Sequence, residues 1–280
     1  MGNEKHTIIK ANALIEGRHE FTLLEIKLFL SVVVQIKRGD KYFQPYRVHI
    51  REFLDSMGVK GNVYERIRKL AIGIKDKKSL VIETDTGHMI TSYLSDIEIY
   101  RNEGYIDCFV SPKLRPFLLQ LKKNFTVYDI RNVINCKSVY SIRIYQLLKQ
   151  YEKIGSRKIT LAELRIMLGM PPDLYARWGN LKTRVIEVAK KELKKNSDLY
   201  FSYTTKRKGR VIDSIRFKIK KQQQRRLDFD GEGSNGNDTA EYFVKDATPK
   251  VKQFQKEYED GLSYKEFSNE KEPKTALSQK

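Results

Sequence analysis

Residues 177–221, which carry the clearest structural signal in the chain, read RWGNLKTRVIEVAKKELKKNSDLYFSYTTKRKGRVIDSIRFKIKK. The first twenty residues of this stretch place apolar side chains at helical spacing, so that one face is apolar and the other is polar and cationic. The apolar face holds Trp178, Leu181, Val185, Val188, Ala189 and Leu193. The opposite face holds Asn180, Thr183, Arg184, Glu187, Lys190, Lys191 and Lys194. This pattern predicts an amphipathic helix that packs one side against a core.

The second part of the stretch, residues 199–221, alternates apolar and polar side chains with a period of two, as strands with one buried face do. The alternating apolar positions are Leu199, Phe201, Tyr203, Ile215, Phe217 and Ile219. Between the two sets lie four cations around one glycine, namely Lys206, Arg207, Lys208, Gly209 and Arg210. We therefore predict two antiparallel strands joined by a cationic turn.

A helix with a polar, cationic outer face beside a cationic hairpin is the arrangement of a winged helix on DNA. There the helix enters the major groove and the hairpin meets phosphates. Either feature alone is more often solvated surface or protection of a sheet edge. The two features follow one another directly, after another short helix, and this succession favours the DNA-binding interpretation.

The element order that precedes this stretch occurs twice in the chain. In the second half we predict a helix over 137–154, a strand over 157–159 and a helix over 161–168, which Thr160 and Glu163 open with a capping box. In the first half we predict helices over 23–37, 51–57 and 63–75 and strands over 46–50, 80–84, 89–100 and 105–110. The repeated order predicts an α+β fold with two tandem winged-helix domains, each a helix-turn-helix with a β-hairpin wing.

We predict three segments along the chain. Residues 1–125 form an N-terminal winged-helix domain, and residues 126–222 form a C-terminal one, with the boundary in the region 122–135. Residues 223–280 form a flexible tail, because their apolar content is low and the glycine-rich run at 231–237 is typical of a linker.

Positive charge is concentrated in the two predicted domains. The chain has a formal net charge of +19, but residues 1–222 hold 44 Lys and Arg against 23 Asp and Glu, whereas residues 223–280 hold 10 against 12. This excess predicts a polyanionic partner. No apolar run reaches the length of a membrane-spanning helix, and the N-terminus lacks the apolar segment of a signal peptide. We expect a cytoplasmic protein that binds nucleic acid and no membrane.

The residues that most enzymes use are absent or scattered. The dipeptide Gly-Lys does not occur, so the chain lacks the phosphate-binding loop of P-loop NTPases. The histidines are far apart in sequence, and the carboxylates form no close pairs of the kind that hold catalytic metals. These histidines are His6, His19, His49 and His88. We expect no catalytic centre, no metal and no cofactor.

The chain contains cysteines and tyrosines, two residue types that act as nucleophiles in some enzymes. Cys108 and Cys136 are too few for a disulfide framework or a zinc site, and we expect both to be reduced and at least partly buried. Tyr140 and Tyr145 lie on a predicted helix near its core face, where a structural role is expected. A DNA-nicking enzyme with a tyrosine nucleophile stays open as an alternative from another class, although it needs a metal-binding histidine cluster.

Several motifs of the chain resemble those of the iteron-binding plasmid replication initiators of bacteria. The resemblance covers roughly residues 8–220 and is more specific in the second half. The motifs are SIRIYQLLKQY at 141–151, KITLAELR at 158–165, LG at 168–169, the helix 182–193, DL at 198–199, KGR at 208–210 and FTLLEIKL at 21–28.

The resemblance implies two winged-helix domains, each of which reads part of a directly repeated origin site, or iteron, on double-stranded DNA. Monomers bind iterons to start replication, and homodimers joined through the first domain repress their own gene. The family recruits the host replication initiator and helicase, hydrolyses nothing, and works in the nucleoid- or plasmid-associated part of the cytoplasm. A winged-helix transcriptional repressor remains the alternative within the DNA-binding class.

The resemblance also implies which residues contact DNA. In the second domain the helix residues are Asn180, Lys182, Thr183, Arg184 and Glu187, and they are expected at base edges. The wing cations Lys206, Arg207, Lys208 and Arg210 are expected at phosphates. In the first domain the matching helix offers Tyr64, Glu65, Arg66, Arg68 and Lys69.

Overall fold

The computed structural model describes residues 6–222 apart from ten positions, which are 38, 57, 59, 60, 78, 85, 86, 101, 102 and 120. The predicted tail over residues 223–280 lies outside these described residues. Within the described part, no helix has both the length and the apolar character needed to span a bilayer.

The first half has the helix–strand–helix–helix order of a winged helix, preceded by a strand and followed by two hairpins. In chain order its elements are β1 (Thr7–Ala11), α1 (Asn12–Glu16), α2 (Leu23–Val33), β2 (Tyr46–His49), α3 (Ile50–Ser56), α4 (Val63–Lys77), β3 (Leu80–Thr84), β4 (Gly87–Thr91), β5 (Leu94–Ile99) and β6 (Tyr105–Val110). A 3-10 turn (Pro112–Leu114) and the short helix α5 (Arg115–Leu118) follow.

The wing of the first half is the β5–β6 hairpin. Strand β2 pairs with β6, and β6 pairs with β5, so these three strands form one antiparallel sheet. The hairpin β3–β4 forms a separate two-stranded sheet inserted between α4 and the wing. The single strand predicted over 89–100 is therefore wrong. Tyr93 separates β4 from β5, and its buried ring packs 4.3 Å from the Phe29 ring, which anchors the chain in the core between two sheets.

The first long helix, α2, begins as predicted and ends earlier than predicted. The capping box of Thr22 and Glu25 is present, with the Thr22 amide donating to the Glu25 carboxylate at 2.7 Å. The helix ends at Val33 instead of residue 37. The Gln35 side-chain amide donates to the carbonyl of Ser31 at 2.8 Å and to that of Arg47 at 3.2 Å, so it satisfies a helix-end carbonyl and ties α2 to β2.

The second half repeats the winged-helix order. Its elements are β7 (Phe125–Asp129), α6 (Arg131–Ile134), α7 (Val139–Lys149), β8 (Ser156–Thr160), α8 (Leu161–Met167), α9 (Trp178–Leu181), a π-helical segment (Lys182–Ile186), α10 (Glu187–Asn196), β9 (Leu199–Lys208) and β10 (Val211–Lys221). The predicted helix 137–154 is shorter in the structure, because turns replace it after Lys149. The capping box of Thr160 and Glu163 is confirmed.

The two three-stranded sheets have the same topology. The second sheet has the order β8-β10-β9 and the first has β2-β6-β5, so in both the last strand lies in the middle. In both, the strand between the first two helices of the winged helix occupies one edge. This shared architecture confirms the prediction of two winged-helix domains in an α+β fold.

The N-terminal strand joins the two halves. Strand β1 pairs with β7 along its whole length, from Thr7 opposite Asp129 to Ala11 opposite Phe125. Strand β7 lies in the region 122–135 where the domain boundary was predicted. The chain therefore crosses this region as a hydrogen-bonded strand of a two-stranded sheet.

A buried arginine on α7 holds elements of both halves. The Arg143 guanidinium donates to the carbonyls of Ile15 at 2.6 Å, Gly17 at 3.2 Å and Met167 at 2.7 Å. Arg143 is only 1% exposed, and this burial lowers the pKa of its guanidinium to about 10. The group therefore stays charged at neutral pH. Since Ile15 lies in α1 and Met167 ends α8, a cation sits at the carbonyl end of both helices, where the helix dipole favours it.

Gly169 lies close against the backbone of His19 in the first half. It follows α8 with a φ of +64°, and a Cβ atom placed there would lie 1.9 Å from the carbonyl oxygen of His19. Both the left-handed conformation and the missing side chain are therefore required at this position.

We expect Gly169→Ala to lower the free energy of unfolding by about 3 kcal/mol or more, because backbone strain adds to a steric clash. Gly155→Ala is the matched control. Gly155 also has a positive φ, +77°, but its nearest neighbour would lie 4.0 Å from a Cβ, so a loss of about 1 kcal/mol is expected. Urea denaturation of both variants measures the difference. Equal losses would show that His19 and Gly169 are not in close contact.

Strand β1 carries a buried lysine. Lys10 is 3% exposed, and its Nζ lies 5.0 Å from the centre of the Phe29 ring. Burial, with the charge of Arg143 nearby, lowers the pKa of Lys10 from 10.5 to about 7. Between these two pH values the unfolded chain binds more protons than the folded protein. The free energy of unfolding therefore rises with pH across this window.

We expect Lys10→Met to raise the free energy of unfolding at pH 7 and to flatten its increase above pH 7. The lysine should account for at most about 1.4 kcal/mol per pH unit in the wild type. Urea denaturation at several pH values between about 7 and 9 measures the slope. Lys153→Met, at an exposed lysine, should leave it unchanged. If the free energy of unfolding rises with pH as steeply in Lys10→Met as in the wild type, the pKa of Lys10 is not lowered by burial.

Candidate nucleic-acid interface

The recognition helix comprises residues 178–196, that is α9, the π segment and α10. Leu181, Val185, Ala189 and Leu193 are buried, which confirms the core-facing side of the sequence pattern. Trp178 and Val188, predicted on the same side, are half-buried at its border.

The π segment explains the core residue that the sequence pattern missed. Ile186 is fully buried, and on an ideal α-helix it lies at the edge of the apolar stripe, about 20° from Leu193. A π turn closes an i→i+5 hydrogen bond and so contains an extra residue, which lets neighbouring positions Val185 and Ile186 both face the core. Such segments occur often at functional sites.

The polar side of the recognition helix is open at its start. The side chains expected at base edges, apart from Glu187, are all exposed and make no ion pair or side-chain hydrogen bond with another described residue. They are Asn180, Lys182, Thr183 and Arg184. Lys182, which lies near the apolar side on a helical wheel, is on the accessible surface with the others.

Glu187 differs from the other predicted contacts because its carboxylate is engaged within the domain. It accepts a hydrogen bond of 2.5 Å from the Tyr203 hydroxyl, and it lies 4.0 Å from Lys190 Nζ. Burial and this hydrogen bond raise the pKa of Tyr203. The geometry gives Glu187 a positioning contact to strand β9.

Tyr203 connects the recognition helix to the wing. Besides Glu187 it meets Trp178 edge-on at 6.5 Å between ring centres, and the Lys190 ammonium lies 5.9 Å from its ring. Tyr203 stands three residues before Lys206 on the same strand, so one side chain links the wing to the start and the middle of the recognition helix. Its place in the alternating pattern predicted only a core role.

The wing consists of the ends of β9 and β10 and the turn between them. Every cation expected at phosphates is exposed there, and none forms an ion pair with another described residue. They are Lys206, Arg207, Lys208 and Arg210. Unpaired cations on a projecting hairpin are suited to contact a polyanion.

Arg165 fixes the loop that leads into the recognition helix. Its guanidinium donates to four carbonyls of residues 171–175: Pro171 at 3.1 Å, Pro172 at 2.7 Å, Leu174 at 2.8 Å and Tyr175 at 3.0 Å. The planar fork of donors is needed to reach so many carbonyls at once. The sequence pattern gave no signal for this role, because the path of the loop is not encoded in local spacing.

The matching helix of the first domain is α4, which Asn62 caps by accepting a hydrogen bond from the Glu65 amide at 3.1 Å. Arg66, Arg68 and Lys69 are exposed, and Tyr64 is half-buried. Glu65 lies 3.9 Å from Arg68 and 3.6 Å from Lys69, so two of the cations are partly neutralised. Arg66 is the cation of this set that forms no ion pair with another described residue.

The tyrosines and cysteines considered as possible nucleophiles are buried or half-buried. The Tyr145 hydroxyl is buried and donates to Asp198 at 3.0 Å, as expected for a structural tyrosine, and Tyr140 is half-buried. Cys108 and Cys136 are both unpaired and buried, which confirms the prediction for them, and burial raises the pKa of the Cys136 thiol to about 12. Among the described residues, no His, Cys, Asp and Glu side chains are grouped so that they could hold a metal ion.

Two winged helices in one chain define a tandem winged-helix protein. The family model of the first winged-helix domain of initiator replication proteins matches residues 7–149, and that of the second winged-helix domain matches residues 160–219. The chain therefore belongs to the family of initiator replication proteins.

The chain is also similar to individual proteins. A replication initiation protein of Escherichia coli is 25% identical over 233 residues, which cover 78% of this chain and 70% of that protein. An uncharacterized 27.6 kDa protein of Escherichia coli is 23% identical over 243 residues, covering 76% and 95%. The crystal structure of Pi initiator protein in complex with iteron DNA shares the fold, with a TM-score of 0.63 at 16% identity, over 80% of this chain and 100% of that chain.

We expect Arg165→Lys to weaken DNA binding about tenfold, which corresponds to about 1.4 kcal/mol. The lysine keeps the charge but cannot reach four carbonyls, so the loop before the recognition helix loses its anchor. Fluorescence anisotropy across a salt series measures both affinity and salt dependence, and the salt slope should stay unchanged. Arg18→Lys, at an exposed ion pair in the first half, is the control. Wild-type affinity in Arg165→Lys would contradict the positioning role.

Proposed function

We propose that this protein is a plasmid replication initiator that binds directly repeated origin sites, iterons, on double-stranded DNA. The observation that carries the proposal is the pairing of an exposed, unpartnered helix face with an unpaired cationic wing, set against each other by Tyr203. Membership of the initiator family supports it. The shared fold with an initiator crystallised on iteron DNA supports it further.

The recognition helix supplies the base contacts in this proposal. Arg184 is suited to donate to guanine in the major groove, and Asn180 is suited to pair with adenine, because their donors and acceptors match these base edges. Thr183 and Lys182 extend the same surface. Glu187 keeps the helix in register with the wing through Tyr203.

The wing supplies phosphate contacts that do not depend on sequence. Arg207, Lys208 and Arg210 surround the turn and project away from the core of the second domain. Phosphate contacts fix the position of a protein on the duplex, while base contacts select the site. The proposed division of roles is therefore specificity from the helix and non-specific affinity from the wing.

The two domains have different proposed tasks. Residues 126–222 carry the main reading of DNA, because two cations of the matching helix α4, Arg68 and Lys69, are paired with Glu65, whereas Arg184 forms no ion pair with another described residue. Residues 1–125 add DNA contacts through α4, chiefly through Arg66. They also form the homodimer. Strand β7 is the junction, since it begins at the boundary and pairs with β1.

The resemblance to the initiator family supports the remaining parts of the proposal. The monomer, in equilibrium with the homodimer, recruits the host initiator and helicase at the plasmid origin in the cytoplasm. The dimer represses the protein's own gene. The protein itself breaks no bond in the DNA. Supercoiled origin DNA incubated with the protein and a divalent metal should therefore stay intact. A nicked product would contradict this point.

We expect a DNase I footprint on the DNA next to the gene to show protected direct repeats spaced by about two helical turns, because two modules in one chain span more than one groove. Arg184→Ala should weaken binding by about 1–3 kcal/mol and relax preference at one base pair. Lys208→Ala should weaken binding to every sequence about equally and lower the salt slope by about one.

Two results would contradict the proposal. The first is a footprint without repeated protection. The second is an Arg184→Ala variant whose loss of affinity is the same on all sequences, as for Lys208→Ala. A plasmid that carries only this gene and its repeats then separates an initiator from a repressor, because only an initiator maintains the plasmid.

A further inference from the structure

The sheet of the second domain carries a cationic groove on the face turned away from the recognition helix. The groove has a volume of about 150 Å³. That is well above the roughly 10–15 Å³ that a single water needs, so the groove has room for a phosphate group. Its lining residues are Lys158, Thr204, Thr205, Lys206, Ser214 and Arg216, and none of them is acidic.

The strand register brings the charges of the groove together. Arg216 on the central strand is directly opposite Lys158 on one side and Thr204 on the other. Residues directly opposite in an antiparallel ladder share one face of the sheet, and like charges in that position repel each other. The neighbouring residues Ile215 and Phe217 are buried and lie on the opposite face, which packs against the helices. A Lys–Arg pair of this kind is stabilised when an anion lies between the two cations.

The groove cations have no anionic partner in the part of the chain that the structure describes. Neither Lys158, Lys206 nor Arg216 forms an ion pair or side-chain hydrogen bond with another residue that the structure describes. The next row of the ladder adds the third cation, because Lys206 is opposite Ser214. Lys206 therefore shares a sheet face with Ser214.

Ser214 provides independent evidence of a missing ligand. The residue is 1% exposed, and its hydroxyl has no hydrogen-bond partner among the described residues, although it lines the groove. A buried hydroxyl without a partner destabilises the fold. An oxygen-rich anion in the groove would accept a hydrogen bond from it and interact with three cations at once.

We propose that this groove binds a phosphate group of a DNA backbone, at a position separate from the recognition helix and from the tip of the wing. Ser214 lies four residues after Arg210, which places the groove about 13 Å along the strand from the turn. Continuity with the wing favours DNA over a free anion. The choice of DNA rests on the proposed function, whereas the phosphate chemistry follows from the groove itself.

Ser214→Ala tests the hydroxyl without changing charge. In the full chain, we expect its affinity for a labelled duplex to fall about threefold, the effect of one lost hydrogen bond. Its melting temperature without DNA should stay equal or rise, because an unpaired buried hydroxyl is removed. Wild-type affinity in Ser214→Ala overturns the proposal. A lower melting temperature together with weaker binding also overturns it, since the hydroxyl would then be structural.

A pair of double variants tests the charges. Lys158→Gln with Arg216→Gln should lower the slope of log affinity against log salt by about one, as expected when one phosphate contact is lost. Lys218→Gln with Lys220→Gln removes two exposed cations from the same strand outside the groove, and its slope should match the wild type. Equal slopes for the two double variants overturn the proposal, because the groove would then be ordinary positive surface.

Two further experiments distinguish free phosphate from the DNA backbone, and failure of the groove proposal from failure of the proposed function. Inorganic phosphate, compared with sodium chloride at equal ionic strength, should raise the melting temperature of wild type more than that of Ser214→Ala, because it occupies the same groove. A selective rise in wild type, with equal DNA affinity of both proteins, would assign the groove to a free phosphate and overturn the DNA-backbone proposal. If wild type binds origin and arbitrary duplexes equally, the proposed function fails, while the Ser214 comparison on one duplex still decides the groove.

Discussion

The arrangement of the two halves depends on one buried cation. Arg143 reaches the carbonyl ends of α1 and α8, so a single side chain of α7 links the N-terminal segment to the first helix of the second helix-turn-helix. Because the guanidinium is charged and removed from water, its loss would leave several carbonyls without donors. Gly169 completes this contact, since its backbone touches His19 where any side chain would intervene.

The DNA-facing surface is positioned by residues that need not touch DNA. Arg165 holds the loop before the recognition helix, and Tyr203 holds the wing strand against that helix through Glu187 and Trp178. Both act through geometry that a rigid scaffold can maintain. The exposed side chains of the helix start are therefore presented in a defined orientation, which sequence-specific readout requires.

The positive charge of the protein has two distinct uses. Arg143 and Arg157 are buried, and Arg47 is half-buried. They are bound to main-chain carbonyls, to Glu16 and to Asp107, respectively, so they stabilise the fold. The cations of the wing and of the groove around Arg216 have no such partners among the described residues. A net charge indicates a polyanionic ligand, but only the location of the unpaired cations shows which surfaces are available to it.

Local signals in the sequence are sufficient to predict the capping box at Thr160, the amphipathic recognition helix, and the alternating strands that flank Gly209. The folded protein is needed to show which hairpin is the first wing, that β1 pairs with β7, and that Arg143 is a core residue. These features depend on pairing between residues far apart in the chain. An arginine on a helix has the same local pattern whether its partners are carbonyls of distant segments or water, so periodicity cannot reveal the difference.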